Sequence, residues 1–85
     1  PQFDHWVGFY PNPVSKYINV SFNLSQKQDV TVQLVDILGQ VYRQSEYTQL
    51  LNETIQLDVQ ELSGLFFLII KESNAHFIEK VIIRN

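Results

Sequence analysis

Apolar and polar residues that alternate, turn residues that recur about every ten positions, and no helical period together predict an all-β fold, a sandwich or a barrel. The chain has 85 residues, enough for one domain. In "YINVSFNL", residues 17–24, Ile18, Val20, Phe22 and Leu24 fall on one face, with Tyr17, Asn19, Ser21 and Asn23 on the other. That is the pattern of a half-buried strand. "DVTVQLVD" repeats it, with Val30, Val32 and Leu34 inward and Thr31 and Gln33 outward. "TIQLDV" does so again through Ile55, Leu57 and Val59. Further strands are expected over residues 40–47, 65–72 and 76–84, with a weaker one over 4–10. Repeats and low-complexity tracts are absent.

The turns between these runs have their own chemistry. Pro11 and Pro13 fix φ near −65° and carry no amide hydrogen, so they cannot join a central ladder. Asn12, which precedes a proline, is pushed to an extended conformation. The Pro-Asn-Pro element therefore ends one segment and aims the next. In "VDILGQVY", Asp36 can accept hydrogen bonds from amides two residues on, and Gly39 tolerates positive φ, which predicts a tight reversal after Val35. Gly64 stands just before a strongly apolar strand, and Ser73 with Asn74 form the last hairpin bend.

Composition narrows the function. With 45% hydrophobic and 13% aromatic residues the chain can fill one bulky core, although a domain this small buries only about 60–65% of its unfolded surface. It has no cysteine, hence no disulfide and no thiolate metal site. A net charge of −3 and a pI near 5.1 argue against a nucleic-acid partner. The longest apolar run, residues 65–70, is strand length, far below the ~20 residues of a membrane-spanning helix. The chain opens on Pro1 without a methionine or a signal-like stretch, so it is expected to be a piece of a longer, processed protein.

Catalytic and metal chemistry are not expected. His76 and Glu79, three apart in a strand, project to opposite faces and cannot share a metal. His5 beside Asp4 is a local pair near the start of the chain. No glycine-rich loop accompanies a serine, no phosphate-binding glycine motif exists, and Asp36 is explained by its turn. The sequence therefore reads as no enzyme, with no catalytic residue, no metal, no cofactor and no small-molecule substrate. Asn-x-Ser/Thr triplets at Asn19, Asn23 and Asn52 match glycosylation sites, yet alternation of small polar residues on a solvent face produces such triplets by itself.

One feature exceeds a plain core. Leu65, Phe67 and Ile69 lie on one face of their strand and Phe66, Leu68 and Ile70 on the other, so both faces are apolar. In the last strand Phe77, Val81 and Ile83 point one way, while Ile78 and Ile82, interleaved with Lys80 and Arg84, point the other. A strand of a two-layer sandwich needs only one apolar face. Two such strands paired as a hairpin would present an apolar strip edged by cations, a feature that often marks a partner surface. Alternatively, the strip is covered by the N-terminal segment with Trp6 and Phe9, or by a neighbouring domain.

Taken together, "YPNPV" at residues 10–14, "VQLVDILGQVY", "LDVQELSGLFFLII" and the closing "FIEKVIIRN" resemble the type A, or Por-type, C-terminal sorting domain of type IX secretion cargo. The likeness covers residues 9–85, with 1–8 as linker or first short strand. The family often has an aromatic such as Tyr where Phe66 stands, and Asn-Gly where this chain has "SNAH". The resemblance implies an immunoglobulin-like antiparallel β-sandwich of about seven strands behind an unrelated N-terminal cargo domain. It also implies an address label without chemistry of its own, present in the periplasm in transit and then at the cell surface or outside. Its expected partners are the type IX translocon and shuttle proteins and a sortase-like surface protease. Ile78, Lys80, Ile82 and Arg84 are the candidate partner-binding residues; Pro11, Asn12, Pro13, Asp36, Gly39 and Gly64 are structural. The rival reading is an immunoglobulin-like binding or adhesion module for carbohydrate or protein, in which Trp6, Tyr10, Tyr17, Tyr42 and Tyr47 could supply exposed aromatics converging on polar side chains.

Overall fold

The computed structural model describes residues 14–73 and 75–85 in full and the backbone of residues 6–10. Pro11, Asn12, Pro13, Asn74, His5 and the side chains of Trp6, Phe9 and Tyr10 lie outside the described residues. Among the described residues five strands follow in order: β1 Trp6–Tyr10, β2 Tyr17–Val35, β3 Val41–Asp58, β4 Gly64–Glu72 and β5 Ala75–Ile83. All strand pairs are antiparallel: β1 with β2, β2 with β3, β2 with β4, and β4 with β5. One parallel bridge joins Val14 to Ile83.

Two expected breaks are not turns. Residues 17–24 and 30–35 form one strand of 19 residues, and residues 41–47 and 55–58 form one of 18. At ~3.3 Å per residue β2 would measure roughly 60 Å if straight, yet the longest dimension of the molecule is 35 Å. The β2–β3 ribbon therefore doubles back. Within β3 itself, Arg43 Nε donates to the Asp58 carbonyl at 2.8 Å across a separation of 15 residues. The corner lies where the pairing register slips between Asn23 and Val30. Gln49 takes φ 55 there, and its amide donates to Asp29 Oδ1 at 3.1 Å. Bulges of this kind bend a strand while keeping it extended.

Doubling back explains the core. Ile18, Val20, Phe22 and Leu24 before the corner and Val30, Val32 and Leu34 after it are all buried, at 0–4% exposure, and belong to one cluster. Leu57 and Val59 close it from the β3 side, Phe66, Leu68 and Ile70 from β4, and Val81 and Ile83 from β5. Among the described residues no helix covers this face. The sheet curls so that one side of it buries itself.

Candidate partner interface at the last hairpin

The turn that feeds β3 is built by Asp36. Its Oδ1 accepts from the Leu38 and Gln40 amides, both at 2.9 Å. Its carbonyl accepts from Gly39 N, its own amide donates to the Gln40 carbonyl, and Gly39 sits at φ +86. A β-turn followed by a left-handed glycine is the standard three-residue hairpin connection. The Asp36 carboxylate also lies near Tyr42 and, with desolvation and a hydrogen bond from the phenol, raises the Tyr42 pKa above 10.0. Tyr42 meets Phe66 edge-on, with centroids 5.3 Å apart.

Antiparallel pairing of β4 and β5 brings the strip residues into cross-strand rows. Leu65 stands opposite Ile82, Phe67 opposite Lys80, Ile69 opposite Ile78 and Lys71 opposite His76. The alternate residues Phe66, Leu68, Ile70, Val81 and Ile83 are buried beneath them. Outside, Ile78 is 59% exposed, Leu65 41% and Ile82 39%, with Lys80 and Arg84 also exposed. β1 pairs along residues 19–23 of β2, away from this hairpin. Of the proposed partner-binding residues, the structure places Ile78, Lys80 and Ile82 on one face of β5, with Arg84 just past its end.

One margin of β5 is partly closed. Val14 N donates to the Ile82 carbonyl at 3.0 Å, and Arg84 N donates to the Val14 carbonyl at 2.8 Å. The even-numbered residues of β5 thus turn their backbone groups to this margin, and among the described residues no strand pairs with it before Ile82. Asn85 fastens the end: its Nδ2 donates to the carbonyls of Val59, at 2.8 Å, and Leu62, at 2.6 Å. Sequence reasoning missed Asn85 and the Val14 bridge. It also gave no role to Ile37 and Leu38, which are 72% and 88% exposed at the tip of the Asp36 turn. The signal was available, since residues between an Asp and a Gly that close a turn occupy its protruding corner.

His76 pairs with Lys71 and Glu79 with buried Leu68, so the two stand on opposite faces. Among the described residues no three of His, Asp and Glu gather as a metal site. Nor do the described tyrosines converge: Gln60 Nε2 donates to the Tyr17 hydroxyl at 3.3 Å, Tyr42 packs on Phe66, and Tyr47 packs against the core.

Searches of curated proteins and of solved structures each gave no significant match. The family model described as the secretion system C-terminal sorting domain matches residues 8–84. Domains of this family are sorting signals, not enzymes; they interact with the type IX machinery and mark a secreted protein for passage through the outer membrane. With nearly the whole chain inside that match, the protein belongs to the family of type IX secretion system C-terminal sorting domains.

Proposed function

We propose that this domain directs an N-terminal cargo of the same protein from the periplasm through the type IX translocon, is handed over by shuttle proteins, and is then removed or exchanged for a surface anchor by a sortase-like protease. In this reading it has no catalytic role, and residues 9–85 form the label, with the Pro11, Asn12, Pro13 element at its border with the cargo. The doubled-back ribbon supports an immunoglobulin-like sandwich in which β2 and β3 each serve both layers, so that five strands do the work of about seven.

The observation that carries the proposal is the state of β5. It is an ordered strand at a sheet margin, with Val81 and Ile83 in the core and Ile78, Lys80, Ile82 and Arg84 on the surface. A partner strand added along the margin before Ile82 would gain backbone bonds, and pockets for Ile78, Lys80 and Ile82 would supply selectivity. Truncating the strand is a poor test, because it also strips Val81 and Ile83 from the core and confounds export with stability. Surface variants are cleaner. Reporter fusions with Ile78→Ser and Ile82→Ser, or Lys80→Glu and Arg84→Glu, are expected to melt like the parent fusion and yet remain in the cells. Export to the medium at the parental rate by both pairs would refute the terminal-strand reading.

A further inference from the structure

Ile37 and Leu38 are the most exposed large hydrophobic residues among those described. Single exposed aliphatics are ordinary on any surface. These two are adjacent, and the turn that carries them is fixed by four hydrogen bonds centred on Asp36. They also continue an apolar surface already described. Val35 pairs with Phe67, so Leu65, two residues before Phe67, runs level with the turn that follows Val35. Leu65 in turn stands opposite Ile82. The strip of the last hairpin therefore leads to the turn at the same end of the sheet.

We propose that the Ile37 and Leu38 turn is a second anchor of the docking surface on β4 and β5, and that one protein of the secretion machinery, with a concave, apolar and acidic surface, grips both. This rests on the sorting function proposed above. Charge supports the acidic partner. Lys71, Lys80 and Arg84 are half of the six Lys and Arg in the chain, and the outward positions of the hairpin hold no Asp or Glu. A cationic face on a molecule of net charge −3 orients it toward an anionic surface and turns away from others. The open margin of β5 supports a protein over a membrane: among the described residues no strand pairs with it before Ile82, and a partner strand can supply the backbone bonds that a bilayer cannot. Rigidity supports an anchor, since a turn already held in shape loses little conformational freedom on docking.

The test uses a bacterium with a working type IX system and a fluorescent reporter carrying the full 85-residue chain. Ile37→Ser with Leu38→Ser is expected to leave the melting temperature unchanged, because both side chains are in solvent, and to lower export by about tenfold, the effect of losing a good interface anchor. A photo-crosslinking benzoylphenylalanine in place of Leu38, and separately of Ile78, is expected to capture the same protein, while one in place of Asn52, exposed at the corner of the β2–β3 ribbon, captures none. Parental export by the double variant, different proteins captured at the two positions, or lipid adducts at Leu38 each overturn the inference. If the parental reporter itself stays in the cells, the sorting function falls and this inference falls with it. If the parent is exported and the double variant equally so, only this inference falls.

Discussion

Among the described residues three backbone positions have φ between 55° and 123°, and two of them are glycine. At Gly39, φ +86, and at Gly64, φ +123, an added Cβ would meet nothing within 4 Å, so the requirement for glycine comes from the backbone and not from space. Gly39→Ala is expected to cost about 1 kcal/mol and Gly64→Ala about 2, because the second lies farther from the left-handed region that L residues tolerate. Gln49 reverses the sign. It holds φ 55 with a side chain that favours other conformations, so Gln49→Gly should be neutral or stabilising by up to about 1 kcal/mol. Urea denaturation of the three variants checks the pattern; a loss at Gln49→Gly as large as that at Gly39→Ala would contradict it. The two glycines were legible as punctuation beside apolar runs. Gln49 was not, because a glutamine gives no conformational signal of its own.

At the scale of elements, alternation and the apolar runs located the described strands but not where two of them join. "SQKQD" between Leu24 and Val30 has the composition of a loop, and "NET", residues 52–54, is polar as well. Both lie at the outside of a bend, where residues 25–27 and 52–54 are exposed, so an extended backbone there needs no alternation. A corner and a turn look alike in sequence for that reason. The rows of the candidate interface were half legible. Parity assigned Ile78, Lys80 and Ile82 to one face, but their partners depend on the register of the last hairpin, which "SNAH" leaves open. Beyond the Val14 bridge, the end of β5 is fastened by a side chain, since Asn85 Nδ2 satisfies two carbonyls of the 59–62 turn. Asn85→Ala is expected to lower stability by about 1–2 kcal/mol and to speed amide exchange at Leu62 and Arg84, whereas amides near the corner, such as Gln49, stay as protected as before. Uniform deprotection of both regions would show that Asn85 acts on the whole fold instead of fastening one end.

The buried side chains among the described residues form one core, to which both halves of the doubled ribbon contribute. Val20, before the corner, and Leu68, on β4, are both fully buried in it. Val20→Ala and Leu68→Ala are therefore expected to shift one shared cooperative transition, Leu68→Ala by about 2–5 kcal/mol. Separate transitions, seen by calorimetry, would mean that the two halves fold independently. The pairing of Val14 with Ile83 also has a mechanical side. The two segments run parallel. Tension applied to the chain upstream of Val14, against a hold on the terminal strand, shears both of their backbone bonds together instead of peeling them in turn. A tag wired this way can be towed by one end and stay intact while its load resists.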